Sequence, residues 1–176
     1  MKAVQARVAG RADGKTISTI VGKLLPFFAV NQIQAVLMVM VGMYIVPLLG
    51  GEALQMPGGS GLFNAWLVAA AVSLAAVAWA LLVASLTRTP QQATVLGGVG
   101  NILMGAIGGI MVPKFMMPAA MQTLAAFSPM AWGLDGFHII MLRHGSFADI
   151  QTILLQLLAF AVLALAIAIP LNRTRT

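Results

Sequence analysis

Four long apolar runs separated by short polar segments set the pattern of this chain. The first is Leu24 to Leu49, with Pro26 at its start and Pro47 near its end. The second, Leu62 to Leu86, is almost entirely Ala, Val and Leu around Trp66 and Trp79. The third, Ala93 to Val112, is rich in glycine, and the fourth, Ile150 to Leu171, closes just before Arg173 and Arg175. About 20 apolar residues cross the hydrocarbon core of a bilayer, and no Asp, Glu, Lys or Arg interrupts any run. Lipid offers the backbone no hydrogen bonds, so each run is expected to be a helix. The pattern predicts an all-α membrane protein with four transmembrane helices, at 24–49, 62–86, 93–112 and 150–171.

The segment between the third and fourth runs breaks the pattern. Pro118–Phe127 and Pro129–Leu142 are too short to span and too apolar for a solvated loop. Ser128-Pro129 places a capping side chain before a proline at the first helical position. Arg143-His144-Gly145 puts cationic groups in a last turn and glycine just beyond it. Ser146 with Asp149 three residues on has the form of a capping box for the next helix. Two short external helices follow, within 118–142, either interfacial or re-entrant, with Pro129, Trp132 and Asp135 as their candidate residues. The rival reading is a surface-lying amphipathic loop that only anchors.

Charge sets the orientation. Lys2, Arg7, Arg11, Lys15 and Lys23 precede the first run, Arg88 lies between the second and third, and Arg173 and Arg175 follow the fourth. Only Lys114 and Arg143 fall on the other side, which also holds Glu52, Asp135 and Asp149. Basic residues accumulate on the cytoplasmic side, so both termini are expected there. The chain divides into a cytoplasmic tail and coupling segment (1–23), a transmembrane domain (24–171) and a short cytoplasmic tail (172–176). The net charge of +6 is placed for anionic lipid and topology, so nucleic acid is not expected as a partner. Composition agrees: 60% of the residues are hydrophobic and 8% charged, against roughly a quarter charged in soluble domains. The first run far exceeds the apolar core of a secretory signal. The absence of cysteine excludes disulfides and thiolate metal sites.

Candidate chemistry is sparse. Ala9-Gly10-Arg11-Ala12-Asp13-Gly14-Lys15-Thr16 fits a relaxed phosphate-loop pattern, but a phosphate loop follows a buried strand, and Met1 to Val8 is too short and polar for one. This chain is therefore not expected to be an enzyme or to bind a cofactor directly. Asp135, His138 and His144 lack metal-binding spacing, since the two histidines are six apart and fall on different faces of one helix. No ionisable relay lies within the runs, so uphill transport would need energy from another subunit. Packing signals are stronger. Ala65, Ala69, Ser73, Ala76, Ala80 and Ala84 make a small-residue stripe in the second run, and Gly97, Asn101, Gly105 and Gly108 share a face in the third. Gly105 to Gly109 is a G-x-x-x-G. Such faces let helices approach closely in lipid, and Asn101 is either an interhelical hydrogen-bonding group or a pathway residue.

The order of features resembles the C-terminal half of the permease subunit of type-2 ATP-binding cassette (ABC) exporters. The matching stretches are Val21-Gly22-Lys23-Leu24-Leu25-Pro26, Ala84-Ser85-Leu86-Thr87-Arg88-Thr89-Pro90-Gln91-Gln92-Ala93, and Gly108-Gly109-Ile110-Met111-Val112-Pro113 with Met117-Pro118. Ser128-Pro129-Met130-Ala131-Trp132-Gly133-Leu134-Asp135-Gly136 then leads into Leu142-Arg143. The resemblance implies a transport permease of the bacterial plasma (inner) membrane, active in efflux, that dimerises with a second copy or a paralogue and contacts lipid. It implies a separate ABC-type ATPase subunit that uses the ATP. It places the ATPase-coupling element within residues 8–20, with Arg11, Lys15 and Ser18 as candidates. The four spans here correspond to the family's last four of six, so the chain is expected to be an N-terminally truncated form, an excised domain or half of a split permease. Two alternatives lie outside this family: a non-transporting four-span scaffold or regulatory protein, and a passive channel, for which the spans lack a continuous polar stripe.

Overall fold

The computed structural model describes residue 22 and residues 24–52, 58 and 60–173, with the side chains of 172 and 173 excepted. The coupling candidates Arg11, Lys15 and Ser18 and the segment resembling a phosphate loop lie outside the described residues. Among the described residues the secondary structure is helical, without strands. Helix α1 runs Leu24–Leu48, α2 Ser60–Leu86 and α3 Pro90–Ile107. A 3-10 turn at Lys114–Met116 precedes α4, Ala119–Ala125, α5, Pro129–Arg143, and α6, Phe147–Arg173.

Three of these helices are long and apolar enough to cross a membrane: α1, α2, and α6 over Phe147–Leu171. Helix α3 has 18 residues, about 27 Å at 1.5 Å per residue, and stops at Ile107 rather than at Val112 as expected. Its start is well specified: the Thr89 hydroxyl accepts from the Gln92 N–H at 3.2 Å, the Gln92 side chain accepts from the Arg88 N–H at 3.1 Å, and Pro90 opens the first turn. Its end follows from Gly109, whose φ of +92° takes the backbone out of the helix at a cost only glycine avoids. The G-x-x-x-G is therefore not a continuous helical face. Gly105 is on the helix, and Gly108 and Gly109 form the turn that leaves it.

Pro47 shapes the end of α1. A proline inside a helix lacks an N–H and crowds the carbonyl four residues back. Just before it, Val41–Ile45 widens into a π segment, and the Val46 N–H donates to the Val41 carbonyl. One extra residue in the turn accommodates the ring.

Helices α2 and α6 form the centre and run parallel. Ile150 packs with Ala65 and Val68, Leu157 with Ala71 and Ala75, and Ala161 and Ala164 with Ala78. The buried positions of α6 (Ile150, Leu157, Ala161, Ala164 and Ala168) recur at intervals of seven, four, three and four, the seam of two helices crossing at a small angle. Helices α1, α3 and α5 run antiparallel to α2, so the start of α1 and the end of α6 lie at one end of the bundle. Polar residues at the helix ends complete it. Ser146 donates from its N–H and hydroxyl to the Asp149 carboxylate at 2.8 and 2.9 Å, one half of the expected capping box. His144, not Gly145, takes the left-handed conformation after α5 (φ 51°), and the Gly145 N–H then closes on the Ile139 carbonyl at 3.0 Å.

Candidate functional site

Helix α5 is the element that organises the site. A Cβ added to Gly133 would meet Val72, and one added to Gly136 would meet Val68, while Ile140 packs beside Ala65. As α5 advances, its partners on α2 retreat toward the start of that helix. The N-terminal end of α5 therefore lies about half-way along the 27-residue α2, and its C-terminal end lies near the beginning. A loop resting on a membrane surface could not make these contacts. The α4–α5 segment therefore packs along α2 as part of the helical bundle.

Three side-chain contacts hold this hairpin. Ser128, expected as a cap for α5, makes no capping bond; its hydroxyl donates instead to the Met104 carbonyl near the end of α3, at 3.0 Å. The Trp132 indole donates to the Ala126 carbonyl at 2.8 Å, and its ring meets Phe160 of α6 edge-on at 6.5 Å. Trp132 is thus a packing residue inside the bundle. The Lys114 ammonium pairs with the Asp135 carboxylate at 2.5 Å, tying the stretch after α3 to α5. Pro129 lies on the wall of the cleft described next.

Between α2, α3, α5 and α6 is a half-open cleft of about 290 Å³. Gly97 approaches Val83 and Gly100 approaches the Trp79 ring of α2, while Gly105 approaches Met130 of α5, so α3 leans on both helices. The gap holds Asn101, Gly97, Ala76 and Ala80 on its walls. The small-residue stripe of α2 accordingly does not act as one packing face. Ala65 and Ser73 are buried, whereas Ala76, Ala80 and Ala84 are exposed; the face packed against α6 is Ala65, Val68, Ala71, Ala75 and Ala78. Ser73 accepts a hydrogen bond from the Gln32 amide of α1 at 2.9 Å, so the candidate packing residue works through its hydroxyl. Gln32, Gly133 and Gly136 escaped the sequence reading. An isolated glutamine in an apolar run was the only signal for the first, and a G-x-x-G in a short helix the only one for the others.

The Lys114–Asp135 pair gives a direct test of the hairpin's anchorage. Its side chains are 32% and 40% exposed, so a coupling of about 0.5–1 kcal/mol is expected in a double-mutant cycle. Asp135→Lys alone should lower the thermal midpoint in detergent, and adding Lys114→Asp should recover most of the loss. Additive losses in the double variant would remove the pair as an anchor.

Several helices of membrane-crossing length and apolarity, packed around the α4–α5 hairpin, make this a multi-pass membrane protein. The chain belongs to the ABC-2 type transporter family, whose model matches residues 15–142, from before α1 to the last turn of α5. It is similar to the linearmycin resistance permease protein LnrN of Bacillus subtilis (strain 168), with 32% identity over 93 residues. That match covers 53% of this chain and 24% of the relative, so the chain spans about a quarter of the relative's length. No solved structure matches it.

Proposed function

We propose that this chain is the membrane-embedded permease subunit of an ATP-driven exporter, crossing the bacterial inner membrane four times with both termini in the cytoplasm. The observation that carries this is the family match over residues 15–142, which takes in α1, α2, α3 and the α4–α5 hairpin. In this reading α3 enters from the cytoplasmic side and, with the hairpin above it, completes the remaining crossing. The start of α1 and the end of α6 lie together, and most of the basic residues flank that end, which supports a cytoplasmic location for it. No carboxylate or basic group lies mid-span in α1, α2, α3 or α6, so the energy enters from outside the chain. A separate ABC-type ATPase subunit hydrolyses the ATP, and a second permease copy or paralogue completes the assembly. The name of the Bacillus relative favours efflux of a toxic compound. Arg11, Lys15 and Ser18 are the docking residues, with the two cations making salt-sensitive contacts to an acidic groove on the ATPase.

The test is crosslinking in membranes that carry this chain and the co-expressed ATPase subunit. Photocrosslinkers at Ala12 and Ser18 should capture the ATPase, and deleting residues 8–18 should abolish both capture and efflux. Capture of lipid alone, or ATPase recruitment unchanged by the deletion, would leave a membrane scaffold as the better account.

A further inference from the structure

We propose that α1 rocks against α2 about the Gln32–Ser73 hydrogen bond, so that its two ends move in opposite directions relative to α2. This rests on the export reading above and names the element that receives the motion of the ATPase. The docking segment at 8–20 leads into α1, and α1 is the least buried of the long helices. None of its apolar window is buried, against 39% in α2 and 28% in α6. The Gln32 amide donates to the Ser73 hydroxyl at 2.9 Å. Apolar helix faces in lipid attract one another only by close packing, so a hydrogen bond between them is a fixed point. Gln32 Oε1, beside it, is buried and has no hydrogen-bond partner. A spare acceptor costs stability in a static joint. In a joint that turns it has a use, because the Ser73 hydroxyl can donate to it as well as accept from the amide nitrogen.

On the outer side of this joint the helices part. A gap of about 330 Å³ lies between α1, α2 and α5, with Ala35, Val36 and Val39 on one wall, Ala65 and Ala69 on the second and Phe137 on the third. Beyond the gap, Val41–Ile45 widens into the π segment before Pro47, where a helix can bend without breaking. Joint, space and bend thus follow one another along α1. Ala35 to Met40 covers about 9 Å of helix axis, and a helix is about 10 Å across, so closing the gap moves this stretch by roughly 3–4 Å. Leu24 lies about 12 Å from Gln32 on the other side, so a rigid inner arm swings away from α2 by a similar distance. A pull at the cytoplasmic end of α1 therefore closes the gap at the outer end, where α5 forms one wall.

The experiment measures spin-label distances in lipid nanodiscs that hold the full chain and the co-expressed ATPase subunit. The chain has no cysteine, so introduced cysteines are labelled without background. Leu25→Cys with Leu86→Cys reports on the inner ends, and Leu37→Cys with Phe63→Cys on the outer ends; all four positions are exposed. Between the nucleotide-free and ATP-bound states the first distance should rise by roughly 3–4 Å and the second should fall by about as much. Gln32→Leu removes the joint and should leave the inner change without the outer one. Ala69→Leu fills the gap and should abolish both changes and most of the efflux, with the ATPase still bound and the thermal midpoint not lowered. A lowered midpoint in Ala69→Leu would show that there is no gap to close and would overturn the proposal. Distances that stay fixed, or change in the same direction, while the ATPase is bound would overturn the rocking and spare the permease reading. An ATPase that does not bind the chain would sink the permease reading and take the rocking with it.

Discussion

Replacing Gly133 with leucine is expected to cause the largest loss of stability among the glycine positions of α5. A Cβ there would lie 2.8 Å from the Val72 Cγ2, and valine, being β-branched, has little freedom to swing its methyl away. Helix α5 would have to lift from α2, breaking the contacts of Ile140 and Gly136 on the same face. Gly136 has its own neighbours at 3.0 and 3.3 Å on Val68 and at 3.4 Å on Ile153 of α6, so the displacement would spread to a third helix. Overpacking of a tight core costs about 1–3 kcal/mol, and leucine's four carbons put this case at the upper end or beyond. Gly98→Leu is the control, because Gly98 is exposed, a Cβ added there meets nothing within 4 Å, and the change gains about 1 kcal/mol of helix propensity. Thermal unfolding in detergent, followed by the loss of the monodisperse size-exclusion peak, should show a marked fall for Gly133→Leu and none for Gly98→Leu. Equal midpoints would mean that α5 does not pack on α2.

The second expected result separates two faces of α2 that differ by two residues. Ala78 is fully buried against Ala161 and Ala164, themselves 1% and 3% exposed. Small residues at that level let the helix axes approach closely, which in lipid is the main source of attraction because apolar burial contributes little between helices. Ala78→Leu should therefore separate α2 from α6 and cost about 1–3 kcal/mol. Ala76→Leu should be nearly neutral, since Ala76 is exposed at the cleft. The stripe read from the sequence predicts the reverse, with Ala76 in the packed face and Ala78 outside it. A larger loss for Ala76→Leu than for Ala78→Leu would restore that reading and refute the packed α2–α6 seam.

Helix existence and the helix boundaries fixed by polar chemistry were legible in the residues alone. Apolar runs free of charge have to satisfy their own backbone, which accounts for α1, α2 and α6. The Ser128-Pro129 start and the Ser146–Asp149 pair marked α5 and α6 within a few residues. The end of α3 was misplaced by five residues, because Gly108 and Gly109 stay compatible with helix until a positive φ is required. Facing was a different matter. In water, an apolar stripe against polar residues tells which side of a helix is buried. A membrane helix is apolar on the side that meets lipid and on the side that meets protein, so α2 carries no such contrast. The tertiary structure alone decided that Ala71, Ala75 and Ala78 face α6 while Ala76 and Ala80 face a cleft. It alone turned Ser128 from a cap into a tether for α3, and placed the paired glycines of α5 on the valines of α2. What the sequence by itself determined was which segments form long apolar helices, for the cost of desolvating charge and backbone is a property of each segment. Which surfaces meet depends on shape and on the few polar groups that find partners, and those are properties of the assembled helices.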